Sequence, residues 1–115
     1  MNVVLSCNDC LGRSVVLLEP CWTDHIVKDH PEIEPLLMSL EIVFATPYRI
    51  YQDGLNPLRE NFYRAGLFPD SPHRLIKVCV EFRQSESGRV IGEVVTAYAA
   101  TRMKPTEKLK WPILI

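Results

Sequence analysis

Residues 31–47 read PEIEPLLMSLEIVFATP, and the way this stretch winds decides the fold. Ile33, Leu36, Leu37, Leu40, Val43 and Phe44 recur at i, i+3, i+4, i+7, i+10 and i+11. That is one apolar stripe of a helix, not the alternation of a strand. Pro35 falls in the first turn, where its missing N–H removes nothing, and Pro47 marks the end. A helix that is apolar on one side must bury that side against another layer.

The residues after Pro47 supply the layer, because the hydrophobic period there changes to two. YRIYQ (48–52) alternates, Gly54, Asn56 and Pro57 make a turn, and RENFYRAG (59–66) follows. HRLIKVCVEFR (73–83) sets Leu75, Lys77, Cys79 and Glu81 on one face and Ile76, Val78, Val80 and Phe82 on the other. QSESG (84–88) reads as a hairpin turn and RVIGEVVTAYAATR (89–102) as the returning strand. The tail, MKPTEKLKWPILI (103–115), reads as irregular, with its apolar end docked on the sheet.

Upstream, VVLSCNDCLGRSVVLLEP (3–20) reads as two short strands joined through Leu11-Gly12. TDHIVKDH (23–30) reads as a short helix, with Thr23 as N-cap and Pro31 turning His30 out of helical geometry. The predicted architecture is α+β. An N-terminal β-hairpin and two helices pack on an antiparallel β-sheet, in a single domain over residues 1–115.

At 115 residues the chain can bury a core without metal or disulfide. No apolar run is long enough to span a bilayer, and the N-terminus lacks a signal-peptide layout. The expectation is therefore a cytoplasmic protein without a membrane partner, with its four cysteines reduced. The net charge of −1 is unevenly spread. Residues 1–48 carry two basic groups against seven acids, and residues 49–115 carry eleven against seven. A phosphate-facing second half and plain sampling both account for that asymmetry.

EPCWTDHIVKDHPEIEP (19–35) concentrates the candidate chemistry. Cys7, Cys10, Cys21 and His25 have spacings a structural zinc site can use. Against zinc stand the single CxxC and the core-like Val15 to Leu18, so no metal and no cofactor is expected. His25 and His30 are five apart, about 140° around a helix, and do not share a face. Trp22, His25, Ile26 and Asp29 do share one, which turns the His25 imidazole toward the sheet. There it either shuttles protons near neutral pH or caps buried backbone groups.

GRSVVLLEPCWTDHIVKDHPE (12–32), TPYRI, NFYR, LIKVCVEF and VVTAYA, in that order, resemble the phage-type branch of the barnase–EndoU–colicin–RelE (BECR) nuclease superfamily. The resemblance covers about residues 12–100 and implies a metal-independent ribonuclease of the toxin kind. Its partners would be an RNA substrate and a cognate antitoxin or immunity protein. By this resemblance His25 does acid/base work, Tyr63 orients or donates, and Arg64 holds the phosphate. Thr96 and Tyr98 contact phosphate or stack a base. His30, Arg49 and Lys77 are substrate-binding candidates. Strand tyrosines and threonines are more often packing residues than catalysts, which leaves a binding protein of the same fold as the alternative, and a small zinc-stapled module as a third.

Overall fold

A computed structural model describes residues 2–102 and 107–112. Seven strands, β1 (Val3–Asn8), β2 (Ser14–Leu18), β3 (Arg49–Gln52), β4 (Arg59–Arg64), β5 (Leu75–Gln84), β6 (Val90–Ala100) and β7 (Lys108–Trp111), form one sheet. Their order is β1-β2-β6-β5-β4-β3-β7. The α+β class, the hairpin and the helices on one face are as the sequence predicts. The hairpin is itself part of the sheet, because β2 runs parallel to β6 while every other neighbouring pair is antiparallel.

Between β2 and β3 the chain is helical. Over residues 19–29, α-helical turns at Glu19–Cys21 and Val27–Asp29 flank a π-helical Trp22–Ile26. This first helix starts before the expected cap, so Thr23 lies inside it. Pro20 fits an opening turn and needs no N–H partner there. The second helix is 3₁₀ over Pro31–Ser39 and α over Leu40–Ala45. Its stripe meets the sheet: Ile33, Leu36, Leu40, Val43 and Phe44 are buried and Leu37 half-buried. Opposite them lie Phe62, Ile76, Val78, Val80, Phe82 and Val94. Gly92 pairs with Phe82, and a Cβ there would stand 2.6 Å from the Phe82 ring and 2.7 Å from Val80. That crowding explains a glycine in mid-strand.

The tail departs from its irregular reading. Lys108–Trp111 pairs with β3 as an edge strand, while the apolar end at residues 113–115 lies outside the described residues. Arg13 ties the hairpin to this side of the molecule. Its Nε donates to Asp9 Oδ2 at 2.8 Å, and its two terminal nitrogens donate to Glu60 at 2.9 Å. Lys110 Nζ donates to the same Glu60 at 3.1 Å.

One consequence of the topology positions the site. β2 pairs with β6 only at Ile91, Gly92 and Glu93, so among the described residues the rest of that β6 edge has no strand beside it. The helices fill the gap with side chains. The Cys21 thiol donates to the carbonyls of Val94 and Val95 at 3.2 and 3.4 Å, and Glu32 Oε2 accepts the Ala99 N–H at 3.1 Å. Bonds of this kind satisfy backbone groups that a missing strand leaves open. The Cys21 bonds also hold the first helix, and the Glu32 bond the start of the second, against the rim of the sheet.

Candidate functional site

The face of the sheet away from the core carries a row of side chains in register: Arg49 on β3, Tyr63 on β4, Lys77 on β5 and Tyr98 on β6. The adjacent row is Tyr51, Asn61, Cys79 and Thr96. Alternation along four paired strands places these groups together, as the period-two reading of β5 anticipates.

His25 reaches this face over the rim. Its Nδ1 lies 3.0 Å from Asp29 Oδ2 and its Nε2 lies 3.0 Å from Thr96 Oγ1. A carboxylate accepts and cannot donate, so Nδ1 carries the proton of the neutral ring. Nε2 is then the acceptor and receives the Thr96 hydroxyl proton. The accepting nitrogen therefore points at the sheet face, with its lone pair engaged by Thr96. With 44% of its side chain exposed, His25 also remains within reach of a ligand.

His30 continues the cluster. Its ring lies 6.0 Å from that of His25, edge to face, and 5.2 Å from that of Tyr98. The expectation that the two histidines do not share a face assumes one continuous helix. His30 has left the helix, at φ −135° and ψ 67°, and the turn before Pro31 brings its ring back beside His25.

Lys77 Nζ sits 5.6 Å from the Tyr63 ring centre and 5.7 Å from that of Tyr98. Its charge is balanced by Glu107, a residue of the tail that lies just before β7. One Glu107 oxygen accepts from Lys77 Nζ at 3.1 Å and Asn61 Nδ2 at 2.6 Å; the other accepts from the Tyr63 hydroxyl at 2.8 Å. The Lys77 and Glu107 side chains are only 5% and 2% exposed. Burial alone would pull the Lys77 ammonium down. Its hydrogen bond to Glu107 and the neighbouring Tyr63 and Tyr98 hydroxyls outweigh burial and hold it above its ordinary value. Burial, then the hydrogen bond to Glu107, pushes the Tyr63 phenol up, so it stays a donor. Two depressions flank the row. One of about 310 Å³ is lined by Tyr63, Lys77, Tyr98 and Arg102, the other of about 300 Å³ by Cys21, His25, Glu81 and Glu93.

The structure thus brings together His25, His30, Tyr63, Lys77, Thr96 and Tyr98. Arg49 shares their row but is exposed, and its guanidinium donates to the Tyr48 carbonyl at 2.8 Å. Arg64 is not among them. Adjacent to Tyr63 in a strand, it points to the opposite face, opposite Ile76, with its guanidinium 5.5 Å from the Tyr48 ring. Asp29, already on the His25 face of the helix, joins the group, and so do Asn61 and Glu107, to which the sequence reading assigns no role. Asp29 stands four residues after His25 and Asn61 two before Tyr63, spacings that signal a shared face. Nothing in the tail signals Glu107.

Among the described residues no three His, Cys, Asp or Glu side chains gather as a metal site. Burial pushes the Cys7 and Cys21 thiols up to about 11, with nearby carboxylates adding to it, so both are protonated at neutral pH. Among the described residues no helix is long and apolar enough to cross a membrane. Compared with protein-family models, curated proteins and solved structures, the chain matches none.

Proposed function

We propose that this chain is a metal-independent ribonuclease of the toxin kind, cleaving RNA by transesterification in the cytoplasm. The observation that carries the reading is the doubly held His25 ring, with Nδ1 on Asp29 and Nε2 at Thr96, on a sheet face that also holds Lys77. The Thr96 hydroxyl turns from His25 Nε2 to the phosphate, and Nε2 takes the proton of a ribose 2′-hydroxyl while that oxygen bonds the adjacent phosphorus. The bond from phosphorus to the 5′-oxygen breaks, and the leaving oxygen receives a proton from the His30 imidazole, whose ring lies 6.0 Å from that of His25. The products are a 2′,3′-cyclic phosphate and a 5′-hydroxyl.

Negative charge gathers on phosphate oxygens in the transition state, and fixed donors stabilise it most in a site closed to water. Lys77 and the Tyr63 hydroxyl fill that role, Thr96 holds the phosphate, and Tyr98, packed on His30, offers its other ring face to a base. Arg49 extends the positive row toward a neighbouring phosphate. Arg64, on the far face, has no part in it. A toxin of this kind works against a cognate antitoxin or immunity protein, and the reading includes that partner.

The test is cleavage of RNA by the purified protein in EDTA, with cyclic-phosphate ends on the products and loss of cleavage in His25→Ala. One observation favours a second reading, a non-catalytic binding protein of the same fold: Lys77 is already paired with Glu107. Intact RNA after prolonged incubation would support that reading.

A further inference from the structure

The Glu107 carboxylate raises a question of its own. Asn61 is fully buried, Tyr63 is fully buried, and Lys77 is 4% exposed, yet all three aim donors at one point above the sheet. Three donors, one of them charged, converging on two oxygens make a seat for an oxyanion. In this chain the oxyanion is the carboxylate of Glu107. Asn61 takes part through its Nδ2 donor; its Oδ1, an acceptor, is buried with no hydrogen-bond partner among the described residues and has no role toward an anion.

Resting on the ribonuclease reading, we propose that the seat of Asn61, Tyr63 and Lys77 is the binding site for a backbone phosphate of RNA. Glu107 occupies it in the resting chain as an internal stand-in. A phosphodiester presents two non-bridging oxygens carrying one negative charge, as the carboxylate does, and can take the same three donors. Lys77 gains a partner of equal charge on exchange, so the swap leaves no buried charge uncompensated. Arg102, at the edge of the same depression, adds a positive charge on the approach. Bound RNA and a seated Glu107 exclude one another, so the tail lowers the affinity of the enzyme for its own substrate.

The experiment follows the Lys77 ammonium resonance by nuclear magnetic resonance during titration with inorganic phosphate, against chloride at equal ionic strength. It is done on the wild-type chain and on Glu107→Gln. A saturable shift specific to phosphate is expected in both, at a concentration at least about tenfold lower in Glu107→Gln, where neutralising the carboxylate weakens the competitor. A single-stranded RNA blocked by 2′-O-methylation should displace phosphate and show the same tenfold preference for Glu107→Gln. If Glu107→Gln does not fold, the wild-type comparison still decides, because a resonance moved no more by phosphate than by chloride overturns the seat. A preference that survives Lys77→Met in the Glu107→Gln background, read from RNA binding by fluorescence anisotropy, would overturn it too. Displacement of phosphate by the blocked RNA with no cleavage of ordinary RNA would sink the enzyme and keep the seat. Cleavage abolished by His25→Ala, without occupancy at Lys77, would do the reverse.

Discussion

Replacing Lys77 by Met keeps most of the apolar stem of the side chain and removes its charge. Glu107, 2% exposed, would then keep only Asn61 and Tyr63 as donors. Breaking one side of a buried ion pair costs about 3–5 kcal/mol, because the remaining charge stays out of water. Glu107→Gln leaves the Lys77 ammonium buried without its counter-charge and costs about 3–5 kcal/mol on the same ground. The double variant leaves neither charge of the pair to desolvate, so it should cost less than the sum, with a coupling of about 2–3 kcal/mol. Urea unfolding followed by circular dichroism, with a shared slope for all four proteins, measures each corner of the cycle. Additivity within about 0.5 kcal/mol would refute the reasoning, since it would mean that Lys77 and Glu107 do not meet.

The core and the hairpin clamp make separate predictions. Leu40, fully buried under the sheet, should cost about 2–5 kcal/mol on replacement by Ala, and a loss under about 1 kcal/mol in the same urea assay would place the stripe outside the core. Glu60 should make the fold acid-sensitive. Burial pushes its carboxyl up, but the hydrogen bond and charge of Arg13, then Lys110, outweigh that and hold it below its ordinary value of 4.5. Its contribution is therefore complete above about pH 4.5 and disappears as the pH falls through the lower native value. The urea midpoint of the wild type should drop on acidification below that point, and that of Glu60→Gln should drop less. Equal pH profiles would show that the clamp does not titrate with the fold.

Periodicity made the second helix and strands β3 to β6 legible, because each is amphipathic with its own period and each buries the face that period defines. Alternation also placed Lys77 opposite Ile76, Val78 and Val80. The same rule separates Arg64 from Tyr63, as neighbours in a strand face opposite ways, and a motif read as a pair obscures this. β7 was not legible: Lys108–Trp111 alternates charged and apolar residues over only four positions, and its pairing with β3 is set by partners far away in the chain. The approach of His30 to His25 depends on a chain turn that a helical projection cannot contain. The parallel pairing of β2 with β6 is equally non-local, and it is what leaves the rim where the first helix delivers His25.

The central claim is that His25, held by Asp29 and Thr96, moves a proton during RNA cleavage. The direct measurement is the rate of RNA cleavage in EDTA by wild type and by His25→Ala, with circular dichroism confirming that both are folded. The account predicts cleavage by the wild type and a fall of about 10²–10⁴-fold in the variant, the usual loss on removing a general acid or base. Equal rates in the two proteins, or no cleavage by the wild type, would contradict it.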